Sequence, residues 1–168
     1  MKNSTFNINS LKGRIAEHLI QDLFIHSGYN VFNYGLERIH PSLSKLINFN
    51  NQKTSKALRF MPDFVVQSSI DGALFYMEVK FRANGEFKFD ENYKDYPYKN
   101  AWFVIVSPEK IQCLHYKSLI KNYYISADSN FKLSRVKSFH IDPEFLREYE
   151  DYASELFSAY NKRQITSL

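Results

Sequence analysis

The chain has 168 residues, of which 44% are hydrophobic and 24% charged. That excludes a disordered or fibrous class and predicts one globular domain spanning 1–168, with enough chain to bury a core. A net charge of +4 suits a polyanionic partner without requiring one. Cys113 is the lone cysteine, which excludes an intrachain disulfide framework and a Cys-based zinc site. Met1 to Ser10 is polar and lacks the apolar core of a secretory signal. No apolar run approaches membrane-spanning length, so a cytoplasmic protein is expected.

Ser10 reads as an N-cap for a helix from about Leu11 to Ser27, with Leu11, Ile15, Leu19 and Leu23 recurring every four residues, Ile20 and Phe24 widening the stripe, and Gly28 as the stop. Gly13 and Glu17 share one face of it, beside Arg14 and His18. Tyr29 to Tyr34 reads as a strand. The segment from Leu36 to Phe60 has weak periodicity, with a short helix expected at Ser42 to Ile47. Between Arg38 and Phe60 it carries five basic residues, Arg38, Lys45, Lys53, Lys56 and Arg59, and no acid. A long basic loop of this kind suits a phosphate backbone; an ordinary solvated insertion is the alternative.

Met61-Pro62-Asp63-Phe64-Val65-Val66 and Leu74-Phe75-Tyr76-Met77-Glu78-Val79-Lys80-Phe81 both read as strands. The polar turn Ser68 to Gly72 makes an antiparallel hairpin of them. Side chains two apart on a strand face the same way. Phe75, Met77, Val79 and Phe81 therefore form a core face, and Leu74, Tyr76, Glu78 and Lys80 form the other. Burying Glu78 and Lys80 costs several kcal/mol, about the penalty of any desolvated ion, unless a partner, metal or ligand compensates. The hairpin brings Asp63 beside Glu78. A cross-strand salt bridge with no further role is the plain structural alternative.

Beyond Phe81, Arg82 to Asn100 mixes charges with five aromatics; its helix, Asp90 to Tyr96, looks short and poor before Pro97. Lys88 and Lys94 are minor phosphate-contact candidates. Ala101 to Ser107 is a continuous apolar run that suits a central, parallel-type strand. Lys110 to Tyr116 reads as a further strand, Ser118 to Tyr124 as a short helix, and Ile125 to Ser138 as irregular. Asp142-Pro143 starts a last helix. Its apolar stripe runs through Phe145, Tyr149, Tyr152, Leu156 and Tyr160, with Leu146, Ala153 and Phe157 alongside. Glu144, Glu148, Glu150, Asp151 and Glu155 make an acidic face that repels a nucleic-acid backbone and is expected to serve packing or dimerisation. His26, His40, His115 and His140 lack metal-ligand spacing. No phosphate-binding glycine loop or nucleophile elbow is present.

Pro62-Asp63 followed by Glu78-Val79-Lys80 resembles the signature of the PD-(D/E)XK nuclease superfamily. The motif is short; its context, with the Asp opening one strand and the E-x-K closing the next, makes it specific. The resemblance implies an α/β fold with the restriction-endonuclease-like αβββαβ core: a mixed central sheet flanked by helices, here with an extra C-terminal helix. The weak helix before Ala101 departs from the pattern. The resemblance also implies a Mg²⁺-dependent endonuclease, with Mn²⁺ as substitute, that leaves 5′-phosphate and 3′-hydroxyl ends. Asp63 and Glu78 would be the main metal ligands, with the Val79 carbonyl. Glu17 matches the acid that the family often carries on its first helix, and would be an outer ligand or orient a water. Lys80 would touch the attacking water and the scissile phosphate, or act as base if its pKa is lowered. Arg14, Arg38, Lys45, Lys53, Lys56, Arg59 and Arg82 are the expected nucleic-acid contacts. The partner would be DNA, with RNA as the alternative. Small size and a bare core resemble the Holliday-junction-resolvase-like and transposon-end nuclease branches, which implies a homodimer. The competing reading is a non-catalytic nucleic-acid-binding or scaffold protein on the same fold.

Overall fold

A computed structural model describes residues 8–34, 57–58, 60–89, 93–121 and 124–165. The chain opens with helix α1 (Ile8–His26). It starts before the expected cap, so Ser10 lies inside it. Gly28, at φ +85°, ends it, with the Gly28 amide bonded back to the Ile25 carbonyl at 3.0 Å; a residue with a Cβ would be strained there. Ala16, Ile20, Leu23 and Phe24 are fully buried, whereas Leu11, Ile15 and Leu19 are only half-buried. The helix is thus turned slightly from the orientation that the four-residue spacing predicts.

Strands β1 (Tyr29–Asn33), β2 (Phe64–Ser68), β3 (Leu74–Phe81), β4 (Ala101–Val106) and β5 (Ile111–His115) form one five-stranded sheet in chain order. Only the β3–β4 pair is parallel. The predicted hairpin turn is present. The Ser68 amide donates to the Ala73 carbonyl at 2.9 Å, Ser68 Oγ accepts from the Ile70 amide at 3.2 Å, and Gly72 sits at φ +72°. The expected mixed α/β sheet flanked by helices is what forms.

The crossover between β3 and β4 is where sequence and structure part. Parallel neighbours need such a crossover, usually helical. Among the described residues of 82–100 no α-helix forms, and a tight turn from Tyr93 brings the Tyr96 amide to the Tyr93 carbonyl at 2.9 Å. Helix α2 (Tyr116–Leu119) is one turn long and begins two residues before the expected position. A single 3-10 turn, Leu133–Arg135, precedes α3 (Pro143–Ile165). Asp142 caps α3 as expected, accepting the Glu144 amide at 2.7 Å.

The sheet has a core on each face. Met77, Val79, Phe64, Val66 and Val104 pack with α1 and α3. Phe103, Ile105, Ala101 and Leu114 face the other way, under Phe87 and Tyr96 of the crossover and Tyr116 and Leu119 of α2. On α3 the buried positions are Leu146, Tyr149, Ala153 and Phe157, while Tyr152 and Leu156 are exposed. Glu150, on the acidic face expected to serve packing or dimerisation, is buried within the chain. Its Oε1 accepts the Ile111 amide at 3.0 Å, and its Oε2 lies 3.7 Å from Lys132 Nζ. A carboxylate there satisfies one amide on the edge of β5, next to the place where the Cys113 amide donates to the Phe131 carbonyl at 2.7 Å.

Candidate active site

The antiparallel β2–β3 ladder ends at the Phe64–Met77 pair. Continued, it would set Asp63 against Glu78 and Pro62 against Val79. Pro62 has no N–H to give to the Val79 carbonyl. The chain diverges instead, and Asp63 Oδ2 takes the Val79 amide at 2.7 Å. The Asp63 backbone meanwhile holds β1, its carbonyl accepting the Tyr34 amide at 3.3 Å. A strand residue presents its N–H and C=O on the same edge, so the Val79 carbonyl is turned toward the Asp63 side. From Glu78 onward the β3 edge is open, and an acid stands against it.

Glu78 and Lys80 project to the face opposite α1, as the two-residue period requires. Glu78 is 7% exposed. Its Oε1 accepts a hydrogen bond from Lys80 Nζ, and its Oε2 accepts one from the Tyr96 hydroxyl at 3.4 Å. Burial pushes the Glu78 carboxyl up to about 7; Lys80 opposes this, and the nearby Asp63 charge adds to it. For Lys80, burial pulls down, but the Glu78 and Asp63 carboxylates outweigh it and hold the ammonium above the ordinary lysine range. Lys80 is therefore a cation beside these carboxylates. Its side chain keeps 26% of its exposure, so one end of the pair reaches the surface.

Glu17 is half-buried on α1, the helix that packs against Met77 and Val79. Among the described residues no three of Asp, Glu, His or Cys converge to hold an ion. The structure thus brings together Asp63, Glu78 and Lys80, with the Val79 backbone.

Of the predicted nucleic-acid contacts, Arg14 is exposed on α1. Arg82 is half-buried; its guanidinium donates to the Phe81 carbonyl at 2.9 Å and lies 5.5 Å from the Phe87 ring centroid. Lys88 and Lys94 are exposed. Arg38, Lys45, Lys53, Lys56 and Arg59, and the short helix at 42–47, lie outside the described residues.

Sequence reasoning did not find Tyr96 or the aromatic wall around it. Tyr34, Tyr76 and Tyr98 meet at centroid distances of 5.2 to 6.2 Å, and Tyr96 joins them to Phe60, Tyr93 and Tyr116. The five aromatics between Arg82 and Asn100 were the only trace of it in the sequence. Lys12 was also missed; it is 8% exposed, with Nζ 5.6 Å from the Phe81 ring centroid.

The donor set suits a hard divalent cation. Two carboxylates and a backbone carbonyl are all oxygen donors, and Mg²⁺ is commonly held by one or two carboxylates with water and phosphate completing its shell. Burial first, and the Asp63 charge after it, raise the Glu78 carboxyl, and an added positive charge would offset both.

No helix of the described residues is long and apolar enough to cross a membrane. No protein-family model matches the chain, and no characterised protein matches it in sequence. Among solved structures, it is similar to Hjc, a Holliday junction resolvase from the archaeal hyperthermophile Archaeoglobus fulgidus. The two share 13% identity with a TM-score of 0.45, over 81% of this chain and 98% of that one.

Proposed function

We propose that the chain is a metal-dependent nuclease of the PD-(D/E)XK type, hydrolysing phosphodiester bonds in DNA to leave 5′-phosphate and 3′-hydroxyl ends. The observation that carries this reading is the meeting of Asp63 with the Glu78–Lys80 pair, at the point where Pro62 stops the β2–β3 ladder. A sheet that needed only stability would place apolar side chains there, since a buried ion pair is at best near neutral against a hydrophobic replacement.

Asp63, Glu78 and the Val79 carbonyl would hold Mg²⁺, or Mn²⁺ in its place. Bound there, the ion would supply an acidified water and neutralise charge on the phosphate. Asp63 is fixed by the Val79 amide, so one of its oxygens is oriented before any ligand arrives. Lys80, kept as ammonium, would place the attacking water and offset charge on the phosphoryl oxygens. Glu17 would act from the outer position, through a bound water. Arg14 and Arg82, with Arg38, Lys45, Lys53, Lys56 and Arg59, would contact the backbone of the nucleic acid. A homodimer would present two such sites, one per strand.

The test is to incubate the purified protein with plasmid, branched DNA and RNA, in Mg²⁺, Mn²⁺ or chelator. Metal-dependent cutting that is lost in Asp63→Ala and in Lys80→Ala, with binding kept, is the expected result. Cutting that survives either substitution places the site elsewhere. Binding without cutting in any metal favours the scaffold reading.

A further inference from the structure

Tyr96 lies in the crossover where the family pattern has a helix, and no motif marks it. It is nonetheless 1% exposed, among the largest fully buried side chains of the molecule. A buried tyrosine needs a partner for its hydroxyl. Here the hydroxyl donates to Glu78 Oε2 at 3.4 Å, while Lys80 occupies Oε1. Each oxygen of the one carboxylate thus has its own donor.

The ring is held as firmly as the hydroxyl. It stacks on Tyr116 at 5.7 Å with planes 27° apart, and packs against Phe103 at 5.4 Å and Phe60 at 5.9 Å. Its amide is fixed by the Tyr93 carbonyl at 2.9 Å. Such a ring cannot swing without disturbing the second core, so the hydroxyl is delivered to one place. The described part of the crossover forms an aromatic wedge whose Tyr96 hydroxyl reaches the β3 carboxylate.

We infer that Tyr96 is a positioning residue for Glu78, orienting the carboxylate from outside the ligand set so that it meets a divalent cation in one rotamer. This rests on the metal-dependent reading above. Outer partners of ligating carboxylates commonly change metal affinity about 10- to 100-fold when removed. A contact of 3.4 Å is long for an O–H···O bond, which places the expected effect at the lower end, about tenfold.

The experiment is calorimetric titration of Mn²⁺ into the full chain, comparing wild type with Glu78→Gln, Tyr96→Phe and Tyr116→Phe, with the metal-free thermal midpoint measured for each. Tyr116→Phe removes a hydroxyl from the same stack without touching Glu78. The expected result is weaker Mn²⁺ binding, by about tenfold, in Tyr96→Phe alone of the two tyrosine variants. A merely structural role would move the metal-free midpoint and leave affinity unchanged. Unchanged affinity in Tyr96→Phe overturns the inference while leaving the metal site standing, as does an equal loss in both tyrosine variants. If wild type binds no Mn²⁺, or Glu78→Gln binds it equally well, the metal-dependent reading itself falls and takes this inference with it.

Discussion

Asp63 Oδ2 accepts the backbone amide of Val79 at 2.7 Å, where the Pro62 carbonyl would accept it had the ladder run two pairs further. A side chain has replaced a main-chain group, and the reason is Pro62. The substitution leaves a carboxylate fixed at the sheet edge, next to the one strand position, Glu78, whose charge is buried. Structure and proposed chemistry are served by the same hydrogen bond, and they can be separated.

Asp63→Asn keeps an oxygen that can accept the Val79 amide, whereas Asp63→Ala leaves that amide without it. Chemical denaturation should show Asp63→Ala destabilised by about 1–3 kcal/mol, the cost of an unsatisfied buried donor, and Asp63→Asn by clearly less. Cleavage should be lost in both. Equal stability for the two variants would mean that the hydrogen bond contributes nothing to the fold.

Lys80 is the cation beside a buried carboxylate. Lys80→Met should cost about 3–5 kcal/mol near pH 8, because it strands that charge. The double variant Glu78→Gln/Lys80→Met should recover most of the loss, since no ion is then left buried. Urea midpoints of the single and double variants decide this. A double variant as unstable as the sum of the singles would show that the two side chains act independently.

Glu78 titrates at about 7 in the folded chain instead of 4.5. Between those values the folded state holds a proton that the unfolded state has released. The stability from this group is therefore fully present below about pH 4.5 and is lost as pH rises through about 7. Without divalent ions, wild type should lose about 1–3 kcal/mol relative to Glu78→Gln as pH rises from about 5 to 7.5. A difference that grows in the opposite direction would show that Lys80 dominates the site and that Glu78 is an ordinary ionised partner.

Far from this site, the Tyr149 hydroxyl donates to Asp22 Oδ2 at 2.7 Å and lies 3.1 Å from His26 Nδ1, pinning α3 to α1. Tyr149→Phe should cost about 1 kcal/mol and lower the thermal midpoint by about 2–4 °C, with cleavage unchanged. Loss of cleavage at full stability would mean that the α1–α3 contact reaches the site.

What was legible in the amino-acid order was local. Period-two alternation set the two faces of β3, the Ser68–Gly72 turn set the hairpin register, and the apolar run at Ala101 set a buried parallel strand. With the register came the meeting of Asp63 and Glu78, because one pairing fixes every position along two strands. Helical spacing placed α1 and α3 but misjudged their rotation. A stripe four residues apart drifts around the helix, and only contact with the sheet selects the buried line; this is how Glu150 came to be buried against β5. Two things were decided by the tertiary structure alone. The described part of the crossover packs as an aromatic wedge without an α-helix, and Tyr96 lands on the Glu78 carboxylate. Each depends on residues distant in sequence, and no periodicity records which segment will cover a given face.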